Sequence, residues 1–245
     1  MVYLIGAGPG DPDLITVAGM KALQSCTAVI FDALANEALL EYAPRNALKF
    51  GMGKRGYAPS TSQHEINQKM IELARGGHIV ARLKGGDPFV FARAGEEMRA
   101  LAHAGIVFKV IAGVSSVTAA AAAALIPLTF RGLASSFTVI SANQMDNGKE
   151  TDWKAVAHVD TLVILMGGAR LNSISKSLCE HGRTIDTPVA IIQSATLSNE
   201  RVVYCSLGSL ADEAVRANLQ PPLIIMIGEV ARIGKAFSLA TRSTS

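Results

Sequence analysis

Hydrophobic residues in this chain come in short unbroken runs separated by amphipathic stretches, the pattern of buried strands alternating with helices. Val2 to Ile5 reads as a strand, Asp13 to Cys26 as a helix with Leu14, Val17, Met20 and Leu23 at helical spacing, and Thr27 to Phe31 as a second strand. A helix is expected to start near Asn36, and Leu48 to Gly53 reads as a short strand. Ser62 to Gly76 places Ile66, Met70, Leu73 and Ala74 inward, and Ser62 with Glu65 three residues later makes a capping box. His78 to Leu83 is the next strand, followed by a helix from Gly95 to Ala104 and a strand from Phe108 to Ile111. Gly113-Val114-Ser115-Ser116 then opens an Ala-rich helix that stops near Pro127. Such alternation predicts an α/β fold with a mostly parallel sheet covered on both faces.

The polar, glycine-containing segment from Leu128 to Ala134 reads as a linker, which divides the chain into a domain over 1–131 and another over 132–235. Strands are expected from Phe137, at Thr161 to Met166, Val189 to Gln193, Arg201 to Ser206 and Leu223 to Gly228, with helices near Thr151 to Ala157, Leu171 to Glu180 and Ser209 to Ala217. The pair Val189 to Gln193 and Arg201 to Ser206, joined by a short polar segment, predicts an antiparallel element. Met145 to Glu150 reads as a polar loop, and the Ser/Thr-rich segment 236–245 as a frayed tail.

Composition narrows the function classes. The 245 residues are 49% apolar and 18% charged, with 23 Lys and Arg against 20 acids. A balance of +3 is too slight for a nucleic-acid or membrane surface, but it permits a local basic cluster facing an anionic small molecule. Cys26, Cys179 and Cys205 are far apart and odd in number, and His64 and His78 lack partners at metal spacing, so neither a disulfide framework nor a metal site is expected. A reducing cytoplasm fits this usage, and the strand at the start leaves no visible export signal. The most apolar window, Val110 to Leu128, is broken by Ser115, Ser116, Thr118 and Pro127 and reads as a buried helix.

The candidate chemistry lies where strands end in glycine, the place at which open α/β sheets bind ligands. The first strand runs into Gly6-Ala7-Gly8-Pro9-Gly10-Asp11-Pro12. A dinucleotide fingerprint would need glycine at position 11; Asp11 would repel phosphates, and Pro9 and Pro12 remove two backbone N–H donors. Asp32 stands about 20 residues further on, where a Rossmann unit keeps its ribose-binding acid; it also suits a general base, or the cap of the helix near Asn36. Gly85, Gly86 and Asp87 follow the central strand and would let main chain approach a ligand beside a carboxylate. Met166-Gly167-Gly168 repeats the arrangement, its thioether either filling core or lying against adenine or a methylthio group. Lys54 and Arg55 supply two cations at a further glycine-flanked strand end. Together these loops suit a phosphate-free, partly apolar molecule.

As a set, GAGPGDPDLIT, FDALAN, GKRG, RLKGGDPFVF, PLTFRGLAS and TPVAIIQSAT resemble the tetrapyrrole methylase family, and within it the uroporphyrinogen-III C-methyltransferases, over nearly the whole chain. The resemblance implies two α/β domains with the active site in the cleft between them, usually in a homodimer. It implies S-adenosyl-L-methionine as methyl donor and S-adenosyl-L-homocysteine as product. Uroporphyrinogen III would be methylated at C2 and C7, giving precorrin-2 by way of precorrin-1 for sirohaem, cobalamin or haem d1. On the same grounds the proton acceptor falls on Asp32 and the proton donor on Lys54. The S-adenosylmethionine contacts fall on Pro9, Gly85, Gly86, Asp87, Val90, Ser115, Ser116, Met166 and Ala195. Arg55, Lys84, Arg93 and Arg131 are the expected partners of substrate carboxylates. The chain departs from the family pattern at Phe130 and Asn143, where members often carry histidine, at Leu165 in place of a tyrosine, and at Ala195 in place of a glycine. Two alternatives stand beside this reading: a methyltransferase of the same fold acting on another corrin precursor, and a dinucleotide-binding module.

Overall fold

The computed structural model describes residues 1–53, 61–142 and 151–242. Internal contacts divide the chain into two compact units, Met1–Ser116 and Val117–Ser245.

In the first unit five strands form one sheet: β1 (Val2–Gly6), β2 (Ala28–Phe31), β3 (Leu48–Gly51), β4 (Val80–Lys84) and β5 (Phe108–Ile111). All neighbours are parallel, in the order β3-β2-β4-β1-β5. Helix α1 (Val17–Ser25) carries the chain from β1 to β2, α2 (Gln63–Arg75) leads from β3 to β4, and α3 (Ala94–His103) from β4 to β5. The adjacent strands β1 and β4 therefore send the chain in opposite directions across the sheet. Right-handed crossovers place the two outgoing helices on opposite faces and open a crevice at the carboxyl ends of β1 and β4. Packing agrees. Ala22 and Leu23 of α1 bury against Ile5, Val29 and Leu83, whereas Ile66, Met70 and Leu73 of α2 and Leu101 of α3 bury against Val2, Leu4, Ile30 and Val80. Each fully buried Leu or Ile contributes roughly 1.5–3 kcal/mol.

Two local readings need correction. The helix expected from Asp13 begins at Val17, because Thr16 Oγ1 accepts from Gly19 N (3.1 Å) and caps it there. Residues Pro12–Leu14 instead form a 3-10 turn capped by Asp11, whose Oδ1 accepts from Asp13 N at 2.9 Å. The helix expected near Asn36 is a 3-10 turn, Glu37–Glu41, capped by Asn36 itself. The capping box at Ser62 and Glu65 is present with both of its hydrogen bonds.

The second unit holds β6 (Phe137–Ser141), β7 (Thr161–Leu165), β8 (Pro188–Gln193), β9 (Arg201–Ser206) and β10 (Leu223–Ile227) in the order β6-β7-β10-β8-β9. Only β6 and β7 are parallel; the other neighbours are antiparallel, including the expected pair β8 and β9. Helix α4 (Ser116–Ala123) enters the unit, and α5 (Trp153–Val156), α6 (Leu171–Glu180) and α7 (Leu210–Arg216) follow. Ile174 and Leu178 of α6 and Leu210 of α7 bury against Leu162, Ile164, Ile191 and Ile225 of the sheet. Where the sequence predicts a frayed tail from Ala236, helix α8 runs over Val230–Arg242. Its internal Gly234 is a close contact: a Cβ there would stand 2.4 Å from Ile126 Cγ1. No described helix is long and apolar enough to cross a membrane.

Candidate active site

The crevice of the first unit is built almost entirely from backbone. Gly8 and Gly86 exchange N–H···O bonds (3.2 and 2.7 Å), and Ala7 N donates to Lys84 O at 2.8 Å, so the loops after β1 and β4 lie directly on each other. The loop after β5 joins them. A Cβ on Gly6 would stand 2.4 Å from Gly113 Cα, and one on Gly113 would stand 2.4 Å from Gly86 O. Gly86 has φ +68, a conformation glycine adopts without strain. Pro9, Gly85, Gly86, Asp87, Val90, Ser115 and Ser116 are all partly exposed on these loops, so one sheet edge gathers seven of the expected cofactor contacts.

Asp87 also braces the loops. Its carboxylate closes them on themselves: Oδ1 accepts from Phe89 N at 2.8 Å and Oδ2 from Gly113 N at 3.0 Å. Each oxygen keeps acceptor capacity beyond these main-chain bonds.

Asp32 stands past the end of β2, its side chain 28% exposed. Asn36 does the capping and also donates from Nδ2 to Gly10 O at 2.8 Å, so the cap reading of Asp32 falls away. The Asp32 carboxylate instead accepts from Arg82 Nη2 at 2.5 Å. Arg82 is 1% exposed and also donates from Nε to Glu97 Oε1 at 3.0 Å. Sequence reasoning passed over both Arg82 and Glu97. A signal existed: Glu97 shares the buried stripe of α3 with Ala94 and Leu101, and Arg82 interrupts an apolar strand.

The cations fare differently. Lys84, expected on a substrate carboxylate, is 1% exposed and turned onto Glu97 Oε1 at 2.8 Å, because the two-residue period of β4 points it inward with Arg82. Burial foremost, and then the neighbouring Arg82 cation, push its pKa down, against the opposing pull of Glu97. Arg93, at φ 59, is exposed and pairs with Glu96 at 2.7 Å. Arg131 is exposed in the second unit. Lys54, Arg55 and Asn143 lie outside the described residues, as does the loop from Met145 to Glu150. Gly53 lies beside Asp32, since a Cβ on it would stand 2.4 Å from Ala33 N and 3.2 Å from the Asp32 carbonyl carbon.

In the second unit β7 and β8 both run antiparallel to β10, so their carboxyl ends share one edge of the sheet. Met166 follows β7 at φ 57 and is exposed; Ala195 follows β8 between Ser194 (φ 48) and Thr196 (φ 70). Non-glycine residues at positive φ carry strain that persists where the surroundings hold it, as at ligand sites. Ala195 is 8% exposed, and Leu165, in place of the family tyrosine, is likewise buried at 8%. Phe130 is exposed. Among the described residues no group of His, Cys, Asp and Glu could hold a metal ion.

Phosphates find no cradle here, since Asp11 occupies the loop and uses its carboxylate there. The strand order also argues against a dinucleotide unit, because β4 separates β1 from β2 and so separates Asp32 from the first glycine loop. What remains is a set of glycine loops packed at the carboxyl ends of β1, β4 and β5, beside an arginine-bound carboxylate on a parallel α/β sheet.

The chain belongs to the tetrapyrrole (corrin/porphyrin) methylases, whose family model matches residues 1–211. It is 42% identical over 234 residues to a uroporphyrinogen-III C-methyltransferase of Methanocaldococcus jannaschii, covering 95% of this chain and 97% of that one. A siroheme synthase of Stutzerimonas stutzeri is 39% identical, covering 95% of this chain but 50% of the relative. The crystal structure of a uroporphyrin-III C-methyltransferase from Thermus thermophilus in complex with S-adenosylhomocysteine superposes with a TM-score of 0.82 at 38% identity, over 95% of this chain and 99% of that one.

Proposed function

We propose that this chain methylates ring carbons of uroporphyrinogen III, at C2 and then C7, giving precorrin-2 by way of precorrin-1 for sirohaem, cobalamin or haem d1 formation. The observation that carries the reading is the backbone-lined crevice at the ends of β1, β4 and β5, without a phosphate cradle, in a chain of the tetrapyrrole methylase family. S-adenosyl-L-methionine supplies a methyl group already activated by its positive sulfur and leaves as S-adenosyl-L-homocysteine. The crevice fits it: glycine loops admit a flat nucleoside against main chain, and no carboxylate-repelled phosphate has to be housed.

A pyrrole carbon of the reduced macrocycle is an enamine-like nucleophile, so the protein's main task is alignment, which can supply ~7–11 kcal/mol. Pro9, Gly85, Gly86, Asp87, Val90, Ser115 and Ser116 hold the donor, with Met166 and Ala195 assigned to the same task by family likeness. Once a ring carbon is alkylated it is quaternary, and the macrocycle must lose a proton from the neighbouring methylene bridge. Asp32 accepts it and Lys54 serves as proton donor. Arg55, Arg93 and Arg131 meet the acetate and propionate groups of the macrocycle. Lys84 leaves that group because Glu97 holds it inside. A homodimer in the cytoplasm completes the reading.

The test is anaerobic incubation with S-adenosylmethionine and uroporphyrinogen III, followed by mass and absorbance spectra, with parallel binding of S-adenosylmethionine and NAD. Addition of two methyl groups and binding of S-adenosylmethionine alone are expected. Unmethylated starting material, under conditions where a control enzyme works, removes the substrate assignment; preferential binding of NAD removes the cofactor assignment.

A further inference from the structure

Four ionisable side chains form a row inside the first unit: Lys84, Glu97, Arg82 and Asp32. Lys84 and Arg82 leave β4 on one face, two residues apart, and meet Glu97 descending from α3. Arg82, Lys84 and Glu97 are each 1% exposed or less, whereas Asp32 at the end of the row reaches solvent. Burying three charges is a poor way to stabilise a core, because apolar residues of similar volume do as well or better. The row therefore needs another reason, and the geometry supplies one.

Arg82 is fixed along its length. Nε donates to Glu97 Oε1 at 3.0 Å and Nη1 to Leu83 O at 3.2 Å, which sets the guanidinium plane and leaves Nη2 directed at Asp32 Oδ1. Glu97 Oε1 is itself held by Lys84 Nζ at 2.8 Å and approached by Gln63 Nε2 at 3.3 Å. Its Oε2 is buried without a hydrogen-bond partner among the described residues. A carboxylate kept at that cost, with all its bonds on one oxygen, is placed for what it orients.

We propose that Glu97 is a positioning residue for Asp32, acting through Arg82, with Lys84 as the cation that locks Glu97 in place. This rests on Asp32 being the proton acceptor. Arg82 engages Oδ1 of Asp32, so the other oxygen takes the proton: a C–H bond of the methylene bridge beside the alkylated ring breaks, its electron pair enters the π system and neutralises the ring nitrogen left positive by methylation, and an O–H bond forms at Oδ2. Glu97 touches neither donor nor macrocycle; it sets where Asp32 stands when that proton leaves.

The test compares Glu97→Gln, the double variant Glu97→Gln with Lys84→Met, and Asp32→Asn. The double variant removes one buried anion with one buried cation, so Arg82 and Asp32 keep a balanced pair even where Glu97→Gln alone fails to fold. The readouts are thermal midpoint, S-adenosylmethionine affinity by calorimetry, and kcat and KM for uroporphyrinogen III. Expected in the double variant are a folded protein, cofactor affinity within about two-fold, KM within about three-fold, and kcat lowered by roughly 100-fold, the scale of a misplaced catalytic group. Introducing Glu97→Gln with Lys84→Met into Asp32→Asn should lower kcat little beyond Asp32→Asn alone, as for residues that act as a unit. A folded double variant with kcat within three-fold of the parent overturns the proposal, and so do fully multiplicative losses with Asp32→Asn. If the double variant does not fold, Glu97→Asp decides, since it keeps the charge and shortens the reach: lowered kcat in a folded protein supports the coupling and unchanged kcat overturns it. Should Asp32→Asn turn over normally, the reading of Asp32 has failed; should it be inactive while the Glu97 variants work, only the coupling has.

Discussion

Replacing Gly113 by alanine would put a methyl group where three backbone segments of the first unit cross. The new Cβ would stand 2.4 Å from Gly86 O and 2.6 Å from Gly6 Cα, about 1 Å inside ordinary contact. Neither neighbour is the end of a flexible side chain, so the loops after β1, β4 and β5 must separate by about that distance. Forcing extra volume into such a contact costs roughly 1–3 kcal/mol, which for a chain of this size lowers the thermal midpoint by about 2–4 °C per kcal/mol. The functional loss should be larger, because a displacement of 1 Å in a positioned site costs about 100-fold in rate. Calorimetric titration with S-adenosylhomocysteine, together with kcat at saturating donor, measures both parts. Gly95→Ala is the control: a Cβ there meets nothing within 4 Å, and in α3 it should be neutral or stabilise by up to about 1 kcal/mol. If Gly113→Ala binds and turns over like the parent, the crossing of the three loops is not what shapes the donor site.

Asp87→Asn should also weaken donor binding, because one of the two main-chain N–H groups of Phe89 and Gly113 would then face an amide NH2. Loss of a charge-assisted bond of about 1.5–3 kcal/mol predicts at least ten-fold weaker affinity by calorimetry, with far-UV circular dichroism unchanged. In the second unit, Asp160 Oδ2 accepts from Ser135 N (2.8 Å), Ser135 Oγ (3.0 Å) and Ser136 N (3.2 Å), and the backbone N–H of Ser135 foremost holds its pKa below the usual carboxylate range. A lowered folded-state pKa gives stability that is present above the unfolded value and is lost as pH falls through the folded one. Asp160→Asn should therefore melt below the parent at pH 7, with the gap closing below roughly pH 4; a gap independent of pH would show that the charge is not what matters.

Much of the frame was legible because it depends on local pattern. Buried runs such as Thr161–Leu165 and Leu223–Ile227, and the reciprocal cap of Ser62 and Glu65, need only neighbouring residues to be understood. The glycine loops were legible as well, since β-strands that end in glycine leave backbone free at a sheet edge. Three features were not, each because it depends on residues distant in sequence. That Asp87 would meet Gly113 N, 26 positions on, follows only from the adjacency of β1, β4 and β5. The two-residue period of β4 gives Lys84 the same face as Arg82, but only Glu97, distant on α3, makes that face tenable for a lysine that a glycine-flanked strand end otherwise leads one to expect outside. The extent of α8 was hidden by the Ser/Thr-rich composition of its end, because the packing of Gly234 against Ile126, distant in sequence, is not written in that segment. Pairing across the fold, and not local propensity, decided all three.

The central claim is carbon methylation of a tetrapyrrole by a donor seated on glycine loops. The most direct measurement uses S-adenosylmethionine labelled with carbon-13 in its methyl group, incubated anaerobically with uroporphyrinogen III, and follows the label by NMR. The account predicts two labelled methyl resonances bonded to ring carbons of one macrocycle, and none in Gly113→Ala at matched protein and time. Label found on oxygen or nitrogen, or left entirely on the donor under conditions where a control methyltransferase transfers it, would contradict the account.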